Sequence, residues 1–177
     1  MPSTAVPMLT GGPLLHSEEL TRLALRRRPA PAPDRAHVYL AKSGRLYAPT
    51  GGLSAAELWR RAPRRVYDVD LAPHPLTLTI ELAAGAEAGT EESGPVSVEL
   101  SWVWRTVSPV AVVTHQLVDV LAVAQPQLVA LVEAAVADRP WRDGTELSAV
   151  LDEHPFPPVN LAEGICLFQV RARVLAA

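Results

Sequence analysis

The chain has 177 residues, of which 49% are hydrophobic and 20% are charged. This length fits one globular domain with or without a tail, and this share of apolar residues excludes disorder throughout. Sixteen basic and nineteen acidic side chains leave a formal net charge of -3, unlike the basic balance of a dedicated nucleic-acid binder. The single cysteine, Cys166, has no partner for an internal disulfide, which predicts a reducing cytoplasm.

The sequence predicts neither a signal peptide nor a membrane-spanning helix. Residues 1–15 carry no Lys or Arg, and Pro and Gly interrupt every apolar run among them. The most apolar stretch, Pro109 to Ala137, is broken by polar residues such as His115, Gln125 and Glu133, so we expect no segment that spans a bilayer. Arg makes up nearly all of the basic residues, and Ala and Pro abound, a composition typical of bacteria with GC-rich genomes.

The first 33 residues are predicted to form a mobile arm. Ser17 is a suitable N-cap for a short helix that ends before Pro29, and the Pro-Ala run from Pro29 to Pro33 predicts a stiff linker. The folded domain is therefore expected to cover residues 34–177.

The pattern within that domain predicts an α+β fold. A small hairpin or meander is expected from His37 to Leu53, with strands at His37–Leu40 and Arg45–Tyr47, and a capping box at Ser54 and Glu57 indicates a short helix. Alternating apolar residues predict three strands, at Leu76–Leu82, Val96–Thr106 and Ile165–Leu175, of which the first two are expected to pair as antiparallel neighbours. A solvated acidic loop is expected between these two, at Ala83–Pro95.

Helical periodicity begins after Pro109. Gln125-Pro126 is expected to divide this stretch into two helices, and Asp143 is expected to cap a further helix, Gly144–Glu153. These elements together predict a mixed or antiparallel sheet with helices packed on one face.

The order of these elements resembles that of the Band 7 or SPFH domain of stomatins, prohibitins and flotillins. The resemblance is carried by Gly44-Arg45 and Gly51-Gly52-Leu53 near the hairpin and by the valine-rich strand Val66–Leu71. It continues in the junction Trp104–Pro109 and in the terminal Gly164–Leu167. It implies an SPFH-like domain in a non-enzymatic scaffold that self-assembles or organises partner proteins, often near a membrane. From this sequence we expect neither an N-terminal membrane hairpin nor a heptad-rich coiled coil after Leu175, and the acidic loop at Ala83–Pro95 stands where that family has a tighter strand connection.

Groups that could carry chemistry have simpler interpretations. His115 and Asp119 are four residues apart on a predicted helix, but no further metal ligand accompanies them. Cys166 lies on the apolar face of a strand, where an inert thiol is usual. Asp68 and Asp70 share one strand face and are expected to be solvated or paired with neighbouring arginines. No catalytic residue, cofactor or metal is therefore predicted, and the protein is not expected to be an enzyme.

Interaction residues are predicted in two groups. A basic group beside one Trp suits an anionic membrane surface, although a solubilising face is the simpler interpretation. An apolar helical group is either core or a contact with another copy or a partner protein. The first group is Trp59, Arg60, Arg61, Arg64 and Arg65, with Arg26–Arg28 as a second basic cluster; the apolar group is Val113, Leu117, Leu121, Leu128, Leu131 and Val132.

The predicted function is thus a scaffold in the cytoplasm, or peripheral at the inner face of the membrane, with a homo-oligomer or a protein partner expected and nucleic acid not expected. Two alternatives remain open at this point: an enzyme or ligand-binding domain with an unrecognised pocket, and a subunit of a larger heteromeric assembly.

Overall fold

A computed structural model describes residues 12–20, 29–83, 95–137, 139 and 141–175. The chain forms two compact units, each built from three separate segments. Unit 1 consists of 1–72, 105–120 and 162–165, and unit 2 consists of 73–104, 121–161 and 166–177. Each unit contains one four-stranded antiparallel sheet, so the predicted α+β class is confirmed, with two sheets where the sequence suggested one.

The sheet of unit 1 has the strand order β1-β4-β2-β3. Its described elements are β1 (Leu14–Glu19), β2 (Arg35–Leu40), β3 (Leu46–Tyr47), α1 (Ala55–Arg61), β4 (Arg65–Asp70) and α2 (Pro109–Thr114). The predicted hairpin is confirmed, because Tyr39 pairs with Tyr47 and Leu40 with Leu46. Its turn uses Gly44 at φ +85°, a backbone conformation that suits glycine.

Strand β1 differs from the sequence prediction. The sequence predicts Ser17 as the N-cap of a helix with Glu18 and Glu19 in its first turn, but these three residues pair with Tyr67, Val66 and Arg65 of β4. The helical interpretation is therefore wrong for these three residues, because a polar local pattern suits an edge strand as well as a helix start. The Leu20 backbone N–H donates to the Arg64 carbonyl oxygen at 2.8 Å, and residues 21–28 of that predicted helix, including Arg26–Arg28, lie outside the described residues.

Helix α1 begins at the predicted capping box. The Ser54 backbone N–H donates to Glu57 Oε2 at 3.0 Å, and the Glu57 backbone N–H donates to Ser54 Oγ at 3.3 Å. The helix ends at Arg61, and its C-cap residue Ala62, which has φ +39°, is followed by Pro63. Its buried Leu58 packs with Tyr39 and Val66 in an apolar cluster on one face of the sheet.

The opposite face of this sheet is also covered. Val38 and Val69, whose side chains alternate with those of Tyr39 and Val66, are fully buried. Helix α2 packs against β2 and β4 and contributes the buried Val112 and Val113. The sheet of unit 1 therefore has apolar side chains buried on both faces.

The sheet of unit 2 has the order β5-β6-β8-β7. The described elements of this unit are β5 (His74–Leu82), β6 (Val96–Thr106), α3 (Val120–Ala137), α4 (Gly144–Glu153), β7 (Val159–Asn160) and β8 (Ile165–Val174), of which β6, α3 and β8 each extend by one or two residues into unit 1. The predicted antiparallel pairing of the strands at 76–82 and 96–106 is confirmed along the whole length of β5. Val98, Leu100, Trp102 and Trp104 of β6 are 0 to 2% exposed, as their alternation predicts.

Helix α3 runs through the point at which a break was expected. Pro126 lies inside the helix, and the interruption comes earlier, between the end of α2 at Thr114 and Val120. Residues at helical spacing form one buried stripe, and packing of this stripe offsets the hydrogen bond that Pro126 cannot donate. The stripe consists of Val120, Ala124, Leu128, Val132 and Ala135.

By length and composition, α3 is able to cross a membrane, contrary to the expectation from its polar residues. Its 18 residues have a mean hydropathy of 1.7, and 28% of them are buried within the chain. Core helices of soluble proteins have the same length and composition, so one such helix among the described residues is weak evidence for a span.

The remaining helix, α4, has the predicted N-cap, because Asp143 Oδ1 accepts from the backbone N–H groups of Thr145 and Glu146.

Candidate interaction surface

The basic group predicted from the sequence lies on α1, in the connection at Arg64 and at the start of β4. We refer to Trp59, Arg60, Arg61, Arg64 and Arg65 as the Trp59 surface. Trp59 is 63% exposed, whereas the other three tryptophans, Trp102, Trp104 and Trp141, are 1 to 6% exposed. Trp and Arg are enriched among the residues that contribute most of the binding energy at protein interfaces.

Two of the four arginines already have partners within unit 1. Arg65 donates to Glu19 Oε1 at 2.7 Å, and this pair joins β4 to β1. The Arg61 guanidinium lies 5.4 Å from the centre of the Tyr47 ring. Burial raises the pKa of Tyr47, and the nearby charge of Arg61 partly opposes this rise. These two arginines are therefore already engaged in contacts within unit 1.

Arg60 and Arg64 differ from Arg61 and Arg65. Both are exposed, and neither forms an ion pair shorter than 4 Å with the residues that the structure describes. Arg64 also lines a shallow groove of about 390 Å³ with Leu20, Leu40 and the Arg65–Glu19 pair. Arg60 and Arg64 are thus the two arginines of the Trp59 surface without an ion pair among the described residues, although the charge of Arg60 helps to lower the pKa of Glu57.

The predicted apolar group divides by burial. Val113, Leu117 and Leu128 are 0 to 5% exposed, and Val132 is fully buried. Leu121 and Leu131 are half-buried on the edges of the buried stripe of α3. The first four side chains are core residues of the single chain, and only Leu121 and Leu131 have surface that a partner can contact.

The structure brings together one polar cluster that the sequence analysis did not identify. His37 and Asp68 are directly opposite one another on β2 and β4, and His37 Nε2 lies 3.2 Å from Asp68 Oδ1. The other ring nitrogen, Nδ1, is 3.2 Å from the hydroxyl of Tyr39. The spacing of His37 and Tyr39 on one strand face was a signal for this cluster, but the identity of the facing strand was needed to place Asp68.

Burial restricts what this cluster can do chemically. His37 is 8% exposed and Tyr39 is 1% exposed, so neither presents its polar atoms to a substrate in solution. Asp70, its predicted companion, instead accepts from the backbone N–H of Ala72 at 2.8 Å. The arrangement suits a buried polar network that connects two strands.

The remaining candidates for chemistry are not brought together in one site. His115 caps the end of α2 and Asp119 precedes α3, so the two do not share one helix face as predicted. Cys166 is buried, with Sγ 3.8 Å from the Leu167 carbonyl oxygen. Within the described ranges, no group of three or more His, Cys, Asp or Glu side chains is placed to hold a metal ion.

Two segments that carry the SPFH resemblance meet in unit 1. The backbone N–H groups of Val107 and Ser108 donate to the Gly164 carbonyl oxygen at 2.8 and 3.1 Å. Gly164 has φ +88°, and a Cβ placed there would lie 2.4 Å from the Ser108 carbonyl oxygen. The junction before Pro109 and the Gly-Ile start of β8 are thus packed so closely that only glycine fits at residue 164.

No protein-family model, curated protein or solved structure matches this chain. The SPFH resemblance therefore stays a prediction.

Proposed function

We propose that this protein is a non-enzymatic scaffold that gathers other chains, its own copies or partner proteins, and attaches to an anionic membrane surface through the Trp59 surface. The observation that carries this proposal is the exposure of Trp59 next to two arginines, Arg60 and Arg64, that form no ion pair with described residues. A Trp ring settles at the level of lipid headgroups, and each nearby basic residue contributes about 1 kcal/mol of attraction to an anionic leaflet. This function places the protein in the cytoplasm, peripheral to the inner face of the membrane.

The non-enzymatic part of the proposal is supported by the burial of the polar cluster. His37 and Tyr39 satisfy one another inside unit 1, which is the arrangement of a structural network. General acid–base catalysis needs such groups within hydrogen-bond reach of a bound substrate.

Tryptophan fluorescence tests the membrane contact directly. Because Trp59 is the one tryptophan with substantial exposure, acrylamide quenching in solution should act mainly on it. Vesicles that contain phosphatidylglycerol should protect Trp59 from acrylamide and shift its emission to the blue, and phosphatidylcholine vesicles should not. Exposed charges are screened over about 8 Å at physiological ionic strength, so this protection should weaken as salt is added.

Matched pairs of substitutions test which arginines matter. Arg60→Gln with Arg64→Gln should weaken vesicle binding by about 2 kcal/mol, or roughly 30-fold. Arg61→Gln with Arg65→Gln removes the same net charge but targets groups that already contact Tyr47 and Glu19, and it should weaken binding less. Equal effects would show that only net charge matters. Absence of binding at low salt would contradict the membrane contact, and binding that resists salt would require an apolar anchor instead.

A further inference from the structure

The four edge strands of the two sheets are not equally protected against pairing with another chain. Strands β3 and β7 have two residues each, and β1 has a register irregularity between Leu14 and His16 and carries acidic side chains. Short length, irregularity and charge are the features by which natural proteins protect a sheet edge. Strand β5 lacks these protective features along its centre. It is nine residues long, and the segment from Leu76 to Ile80 contains no charged residue, Gly or Pro.

The backbone groups that point out of this edge can be identified from the pairing. The Ser97 carbonyl oxygen accepts from the Leu175 backbone N–H at 2.9 Å, so Ser97 directs its backbone groups away from β5. Ser97 pairs with Glu81, and this pair is therefore of the kind that exchanges no hydrogen bonds. Since the two kinds of pair alternate, Thr79 and Thr77 direct their backbone groups outward as well.

Pro75 supports the same assignment. It pairs with Val103 and lies an even number of residues from Glu81, so its nitrogen also faces outward, where a missing N–H breaks no ladder bond. The outward donors of β5 are consequently the N–H groups of Thr77, Thr79 and Glu81, and the residues of the described chain place no strand beside them.

The apolar face of β5 is also incompletely covered. Leu76, Leu78 and Ile80 are half-buried, whereas their partners on β6, Trp102, Leu100 and Val98, are 0 to 2% exposed. Apolar side chains on this sheet face are therefore less buried on β5 than on β6. A further strand would both pair the outward backbone groups and extend the apolar face.

We propose that β5 is a self-association site, at which a second copy of this chain adds its own β5 in antiparallel orientation with Leu78 of both copies on the two-fold axis. In this register Leu78 faces Leu78, Leu76 faces Ile80, and Thr77 faces Thr79. The whole of His74–Leu82 overlaps, and about six backbone hydrogen bonds form through the outward groups.

The side chains of β5 select a second copy as the occupant. Every cross-strand pair from Leu76 to Ile80 joins aliphatic with aliphatic or threonine with threonine, combinations that stabilise antiparallel strands. The segment carries no charge that would repel its own copy, and Glu81 of one copy lies opposite Pro75 of the other, so the two carboxylates are at opposite ends. A two-fold contact of this kind is self-complementary and closes as a dimer.

This inference deepens the proposed scaffold function, since it names the surface through which copies associate. The two remain separable, because the Trp59 surface is not part of β5. Arg60→Gln with Arg64→Gln should leave the dimer unchanged, and the uncharged β5 variant Leu78→Cys, kept reduced, should leave vesicle binding by the single chain unchanged.

The first test measures the mass of the full chain in solution by analytical ultracentrifugation. The wild-type chain should form a dimer, and Thr77→Lys with Thr79→Lys should weaken it at least about 10-fold, because lysines then face lysines. The control Ser101→Lys adds a lysine on β6, one strand inward and opposite Thr77, and should leave the dimer intact. A wild-type chain that stays monomeric up to about 100 μM would overturn the proposal.

Mixing opposite charges keeps the test independent of folding. Thr77→Glu with Thr79→Glu should weaken the dimer to a similar degree when measured alone, and an equimolar mixture with the lysine variant should restore it. A mixture that remains monomeric while both variants are folded would overturn strand pairing at β5.

The register is tested with cysteines and a mild thiol oxidant. Facing residues in a pair without hydrogen bonds have Cα atoms about 4.5 Å apart, within disulfide range. Leu78→Cys should therefore give a covalent dimer, whereas Leu76→Cys and Ile80→Cys should link only when mixed. The wild-type chain controls for linkage through Cys166, which is buried. Linkage of Leu76→Cys to itself, or no linkage of Leu78→Cys, would overturn the proposed register.

Discussion

Replacing Gly164 by Ala should destabilise the fold much more than replacing Gly44 by Ala, although both glycines have nearly the same φ. Gly44 has φ +85°, and no atom lies within 4 Å of the place that a Cβ would occupy, so its substitution adds only backbone strain, about 1–3 kcal/mol. At Gly164, with φ +88°, a Cβ would also lie 2.4 Å from the Ser108 carbonyl oxygen and 2.9 Å from Ala111 Cβ. Such overpacking adds about 1–3 kcal/mol, because the contacts are with backbone and with a helix residue that cannot move aside freely.

The difference between the two variants isolates the packing contribution. Thermal unfolding of the wild-type chain and both variants should place Gly164→Ala below Gly44→Ala by roughly 2–12 °C, since 1 kcal/mol corresponds to about 2–4 °C for a chain of this size. Equal melting temperatures would refute the close approach of residue 164 to the start of α2. A Gly44→Ala variant that is the less stable of the two would refute the assignment of Gly44 to an open turn.

Three further substitutions test the local structure and the core. The hydrogen bond from the Ser54 side chain lowers the pKa of Glu57 in the folded chain. The ionised Glu57 carboxylate therefore adds to the free energy of unfolding above its unfolded pKa, and this addition is lost as pH falls through its folded pKa. Ser54→Ala should cost about 1 kcal/mol at neutral pH, and stability measured in urea should then fall less on acidification than in the wild type. Leu128→Ala should cost about 2–5 kcal/mol because the side chain is fully buried, and the half-buried Leu131→Ala should cost less. Equal costs in urea unfolding would show that Leu131 is as much a core residue as Leu128.

Local features of the chain were largely predictable from the sequence. The alternation from Leu76 to Leu82 marks a strand because side chains on a strand point to opposite faces in turn, and the pattern needs no knowledge of the neighbouring strand. The capping box of α1 is equally local, since Ser54 and Glu57 are three residues apart.

The errors occur where a distant segment decides between two local possibilities. Ser17–Glu19 suits a helix start or an edge strand, and pairing with β4 selects the strand. Pro126 suits a helix break, but α3 continues past it because packing of the buried stripe stabilises the helix on both sides of the proline.

The candidate sites likewise combine local features that the sequence predicts with contacts that only the tertiary structure shows. The sequence alone determined that four arginines and a tryptophan lie within seven residues, because composition and spacing are properties of the chain itself. Only the tertiary structure decided that Arg65 is paired with Glu19, which is 46 residues away in sequence, while Arg60 and Arg64 are exposed. It likewise decided that β5 is an edge strand, because the order of strands depends on which backbone groups find partners, and those partners come from distant parts of the chain.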